Sequence, residues 1–240
     1  MEANALAADD PPEGRRQRKV RQTREALAEA AVELILERGL AGVTVEAIAD
    51  RADVARRTFS RHFAGKEVAA LEFVRLDGAR INDRLRARPA AEPPLLAYRR
   101  SVCAWLAGQQ QGEQAAWHGR EQQRRLFALM EREPALLAAY ESVRIEAQDE
   151  SVRIIAARLG VEPVRDLRPG VAVGAAAGVL VAALRTWAHP GNADTDLLAI
   201  VERSYDAIID LAAGDPGDEV AMIPGGSSAA GSASQQGVVS

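Results

Sequence analysis

The sequence is poor in the residues that build cross-linked, metal-bound or sheet-based structures. Cys103 is the one cysteine among 240 residues, so no disulfide forms within the chain. His62, His118 and His189 are the three histidines, and their wide separation leaves no Cys/His cluster of zinc-ligand spacing. Aromatic residues make up only 4%. β-Branched residues are sparse beside Ala, Leu, Arg and Glu, a balance that favours helix over strand. The expected fold class is therefore all-α, with no metal and no cofactor.

Export signals are also missing. The leader MEANALAADDPPEG has neither a basic start nor an apolar core, so it does not read as a signal peptide. The most apolar stretch, Gly170 to Leu184, holds 15 residues between Arg168 and Arg185, short of the roughly 20 that span a bilayer. It reads as a buried helix, which implies no membrane partner and a cytoplasmic location.

A net charge of −4 hides an asymmetry, because Arg15 to Lys66 carries 12 Lys/Arg against 7 Asp/Glu while the remainder carries 18 against 27. The run RRQRKVRQTR, Arg15 to Arg24, has six cations and no anion. Such a run fits an arm that meets phosphates or, equally, a solvated helix start.

Apolar spacing then divides the chain into helices. Leu27, Ala30, Ala31, Leu34 and Ile35 form one stripe that ends at Gly39. Thr44 is placed to cap a short helix over Val45 to Ala52, with Glu46 in its first turn. Asp53 follows where left-handed geometry is common, and helix resumes from Ala55 to Phe63. Two short helices behind a longer one make a helix-turn-helix. Beyond Lys66 the pattern predicts one helix to about Arg86 and five more: after Pro94, over Trp117–Arg132, Pro134 to Gly160, Pro169–Ala188, and from Thr195 to Gly214. The division expected is a disordered leader over 1–14, a helix-turn-helix head over 15–66, a helical domain over 67–214, to which the resemblance described next adds effector binding and dimerisation, and a disordered tail over 215–240.

Thr44-Val45-Glu46-Ala47-Ile48-Ala49, Ala52 through Phe63, and Gly65-Lys66-Glu67 resemble the TetR family of bacterial transcription regulators. The likeness covers about Arg18 to Leu71; beyond it, only helix count, length and order agree. The family commonly has Gly-Val-Ser where this chain has Asp53-Val54-Ala55, and often Gly and Tyr where it has Arg57 and Ser60. The resemblance implies a homodimeric repressor on a palindromic double-stranded operator, released by a small-molecule effector; an activator of the same family, or a helical enzyme or interaction module with this head, stays open.

In such a unit the second helix enters the major groove, and side chains near its start reach base edges. Here these are Arg56, Arg57 and Ser60, with Thr58 beside them; each arginine suits guanine or a phosphate equally. The resemblance places Thr44, Arg61, His62 and Lys66 at phosphates, and the basic run adds Arg18, Lys19 and Arg21. Ala49, Val54, Phe59 and Phe63 read as the core of the head.

Trp105, Trp117, His118, Phe127, Met130 and Tyr140 are candidates for an effector pocket, and Arg120, Arg124 and Arg125 offer either an anchor for an anionic ligand or a solvated face. Gly170, Gly174, Gly178 and Ala182 recur every four residues, a smooth stripe that admits another helix closely. That helix is either the following helix of the same chain or a second copy. The family resemblance favours the copy, with Gly174, Gly178, Ala182, Val201, Tyr205 and Ile208 at the dimer interface. Enzyme signatures are absent: Gly65-Lys66 has Ser60 and Glu67 where a P-loop needs Gly and Ser or Thr, and neither H-E-x-x-H nor G-x-S-x-G occurs.

Overall fold

The computed structural model describes residues 14–110, 119–192 and 195–213. Among these there is no strand, and the order is α1 Arg15–Arg38, α2 Val45–Arg51, α3 Arg56–His62, α4 Lys66–Ala70, α5 Glu72–Arg86, α6 Pro94–Gln110, α7 Arg120–Met130, α8 Pro134–Leu159, α9 Arg168–Ala188 and α10 Leu197–Ala213. The chain is all-α, as composition implies.

Several helix ends follow from local chemistry. Gly39 stops α1 at φ 72°, and Gly160 stops α8 at φ 63°, a region that costs glycine little. Thr44 Oγ accepts from Ala47 N at 3.1 Å and so caps α2. Asp53 sits at φ 52°, the left-handed turn expected between α2 and α3. Pro134 and Pro169 lie in the first turns of α8 and α9, where a missing N–H costs nothing.

One boundary differs from expectation, and the basic run takes the helical of its two readings. The basic run is the first turns of α1, because Arg, Lys and Gln propagate a helix well and nothing between Arg15 and Leu27 breaks it. The single helix expected from Lys66 to Arg86 is two, turning at Leu71. That turn buries Leu71 under the head and delivers Glu72 to Arg24.

Two apolar cores result. The first joins α1 to α4 with Phe73, Leu126, Met130, Leu136 and Tyr140, so the head shares its core with α5, α7 and α8. The second is built from α5, α6, α8, α9 and α10, and Phe127 packs against both. Helix α9 is 21 residues long with a mean hydropathy of 1.7 over its most apolar window, enough by length and composition to cross a bilayer. It is a core helix here, with Val173, Ala176, Ala183 and Trp187 turned into the second core.

Candidate nucleic-acid interface and effector cavity

Helix α3 is held from below by Phe59 and Phe63, both buried, with ring centroids 5.7 Å apart. That anchoring leaves Arg56, Arg57, Ser60 and Arg61 exposed on the opposite side, with Thr58 half-buried. Arg56 Nε lies 2.8 Å from Glu46 Oε1, and both side chains are exposed. A pair in water is worth so little that a phosphate can displace it. Arg18, Lys19 and Arg21 are exposed along the start of α1, where Arg21 pairs with Glu25 at 3.1 Å.

Two cations do structural work. Lys66 Nζ donates to the carbonyls of Leu40 at 2.6 Å and Val43 at 2.8 Å, so two of its three donors brace the α1–α2 connection rather than face outward. Arg24, the last cation of the basic run, donates to both Glu72 oxygens at 2.6 and 2.7 Å and to the His62 carbonyl at 2.7 Å. Its guanidinium also lies 4.4 Å from the Phe63 ring centroid. Arg24 therefore ties the end of α3 to α5, a role hidden in a run of like charges. Burial, followed by the charges of Arg24 and Arg61, pushes the His62 imidazole below its ordinary value.

A cavity of about 80 Å³ lies behind the head, walled by α5 to α9 and the start of α10 at Leu197. Trp105, Phe127 and Tyr140 line it, together with Phe73, Asp77, Arg120, Gln148 and Trp187. Asp77 Oδ1 accepts from Arg80 Nη1 at 3.1 Å, Trp105 Nε1 at 3.3 Å and Gln109 Nε2 at 3.4 Å. Burial pushes this carboxyl up to about 6, against the pull of Arg80. Gly78 lets α5 approach α8 here, since a Cβ on it would stand 2.7 Å from that of Ala147. Phe73 meets Phe127 edge-on at 5.9 Å, and Phe127 meets Tyr140 edge-on at 5.7 Å, a chain of rings from the head core along the cavity wall.

Three expectations are corrected. Met130 does not line the cavity: it lies about one turn beyond Phe127 on α7, inside the first core. Val201 and Tyr205 are not at an outer face. Both are buried within the chain, and Tyr205 Oη donates to the Ala176 carbonyl at 3.0 Å, binding α10 to α9. Their stripe satisfies helical spacing equally well whether it packs on its own α9 or on a second copy, which is why spacing misplaced them. Ile208 is half-buried at the edge of that packing. Trp117 and His118 lie outside the described residues. Arg124 pairs with Glu121, and Arg125 reaches the Leu36 carbonyl.

The small-residue stripe is on the outside. Gly170, Gly174, Gly178 and Ala182 are exposed, and a Cβ on any of these glycines would meet nothing within 4 Å among the described residues. Packing of this stripe against α10 is thereby ruled out. Exposed Val171, Ile209 and Leu211 add large apolar side chains on α9 and α10.

A capped α2, a left-handed Asp53 turn and a cationic α3 on a buried aromatic base define a helix-turn-helix DNA-binding protein. Residues 27–70 match the family model described as bacterial regulatory proteins of the tetR family, and residues 92–213 match the MftR C-terminal domain. The chain belongs to the TetR family of transcription regulators. It is 41% identical over 193 residues to the HTH-type transcriptional regulator TcmR of Streptomyces glaucescens, covering 78% of this chain and 81% of that protein. Among solved structures it resembles FadR of Thermus thermophilus, a TetR-family repressor solved with lauroyl-CoA, at TM-score 0.50 and 22% identity, covering 85% of this chain and 100% of the other. FadR of Bacillus halodurans gives TM-score 0.51 at 17% identity, covering 78% and 94%. These structural likenesses speak for the fold.

Proposed function

We propose that the chain is a homodimeric repressor that holds a palindromic operator through two copies of α3 and leaves it when a small molecule fills the cavity behind the head. The observation that carries this reading is the ring chain Phe73–Phe127–Tyr140, which belongs at once to the cavity wall and to the core under α3. A resting cavity of about 80 Å³ is well below the roughly 300 to 1,000 Å³ of ligand sites. An effector therefore enters by moving the wall, and Phe73 and Phe127 carry that movement into the head.

Two recognition helices must meet successive major-groove faces about 34 Å apart. A ligand that binds better to a conformation with another spacing shifts the population away from the DNA-bound one. The open Gly174–Gly178–Ala182 stripe supports pairing of two copies through α9, and the lauroyl-CoA complex of Thermus FadR supports a small-molecule effector.

The test is a titration of the intact protein against palindromes from the DNA flanking its coding region, at two salt concentrations. Two chains per palindrome, with affinity for the cognate site well above that for random DNA, are expected. Equal affinity for cognate and random DNA at both salts would refute the reading.

A further inference from the structure

Most of the cavity wall is carbon, from Phe73, Ile81, Phe127, Leu180, Leu184 and Trp187. Three buried side-chain nitrogens in the described residues lack any hydrogen-bond partner, and two of them belong to residues that line this cavity: Arg120 Nη2 and Gln148 Nε2. Both are donors. A buried donor without an acceptor lowers the stability of the empty protein, so a native chain keeps one where something else completes it.

No side chain of the cavity wall completes them in the structure. Asp77 Oδ1 already serves Arg80, Trp105 and Gln109. Ionic charge is balanced as well: Arg120 Nη1 lies 3.7 Å from Asp196, Arg144 pairs with Glu141, and Asp77 pairs with Arg80. An ion entering such a site would be buried without a counter-charge, which is costly. What these two donors lack is an acceptor oxygen, not a counter-charge.

The geometry points to a largely apolar, uncharged ligand carrying carbonyl-type acceptor oxygens, bound by Arg120 Nη2 and Gln148 Nε2 against the aromatic wall. This rests on the cavity being the effector site. The two donors, on α7 and α8, grip the ligand from two of the helices that also carry Phe127 and Tyr140.

Two probes of similar size test it: 2-acetylnaphthalene, and 2-isopropylnaphthalene, in which a hydrogen and a methyl group replace the carbonyl oxygen. Calorimetric titration of the full chain should show Gln148→Met weakening 2-acetylnaphthalene about fivefold and Arg120→Met about tenfold, as for loss of a neutral and a charge-assisted hydrogen bond. The affinity for 2-isopropylnaphthalene should stay within about twofold. Ligand-free Gln148→Met should melt no lower than the parent, because it removes a donor that had no partner. Equal losses for both probes, no binding of 2-acetylnaphthalene up to its solubility, or a Gln148→Met melting several degrees lower would each overturn the proposal. Operator release is followed separately by fluorescence anisotropy. Carbonyl-selective binding without release supports this ligand chemistry and removes the effector reading, whereas binding and release without selectivity do the reverse.

Discussion

Replacing Arg24 by Met tests whether one side chain of the basic run couples the end of α3 to the body. Glu72 is 3% exposed, and its carboxylate takes two hydrogen bonds from Arg24 and two from Arg75. Burial pushes the Glu72 carboxyl up, and the bonds from Arg24 and Arg75 outweigh it, holding the group below its ordinary value of 4.5. Breaking a buried pair by removing one partner costs about 3 to 5 kcal/mol. Arg75 remains, and the Arg24 side chain is 29% exposed, so the expected loss is at the lower end, about 3 kcal/mol. For a chain of this length that lowers Tm by roughly 6 to 12 °C at neutral pH. A carboxyl whose native pKa is depressed contributes stability that is full above its unfolded pKa and is lost as pH falls through the native one. The gap between parent and variant should therefore be full above the ordinary value of 4.5 and narrow as pH falls below it toward the depressed native value. Removing the buried carboxylate with Glu72→Gln in the Arg24→Met background should recover part of the loss, because the half-exposed Arg75 keeps its charge in water. Operator affinity should fall in parallel, because the His62 carbonyl at the end of α3 loses its donor. Thermal melts at pH 4 and 7 decide the matter: a loss under about 1 kcal/mol at pH 7, or one equal at both pH values, refutes the coupling.

Arg57 is exposed on α3 with no ion pair among the described residues, so Arg57→Ala should cost about 1 to 3 kcal/mol on the cognate site and relax preference at one base pair per half-site. Equal losses on cognate and random DNA would assign it to a phosphate instead. Deleting residues 1–19 removes Arg15, Arg16, Arg18 and Lys19, and if all four meet phosphates the slope of log K against log salt falls by up to about 7 per dimer; an unchanged slope retires them as DNA contacts. Gly178→Leu should leave the head and both cores folded, because a Cβ there meets nothing of its own chain among the described residues. It should overpack a paired stripe by about 1 to 3 kcal/mol per subunit, so sedimentation should show a shift to monomer. A variant that stays dimeric with native operator affinity would move the interface off α9.

Features that depend on a few adjacent residues were readable in the sequence. Gly39, Thr44, Asp53, Pro134 and Gly160 end, cap or open their helices in the structure because each acts through its own backbone or the next turn. Partnership was harder. A period of 3.6 says that one face of a helix is covered, not by what. Val201 and Tyr205 show the consequence: their stripe is buried, but against α9 of the same chain, while the glycines of α9 lie open. Met130 shows it again, since the helix that presents Phe127 to the cavity presents Met130 to the head core.

Charge obeys the same limit, and this explains why the basic run divides as it does. Along Arg15 to Arg24 every cation looks alike, yet it is Arg24 that grips both Glu72 oxygens, and that proximity exists because the chain turns at Leu71. Lys66 likewise reads as a cation at a helix start until α1 and α2 are docked and their connecting carbonyls close on its ammonium. Cavity donors are a still more distant property, because an atom without a partner is defined by every neighbour it fails to meet. Gln148 sits among the polar residues of α8, between Ala147 and Asp149, and nothing in that spacing separates it from a solvated side chain. Only the packing of α5 and α9 over α8 takes its amide out of water, which turns an ordinary glutamine into a demand for an acceptor.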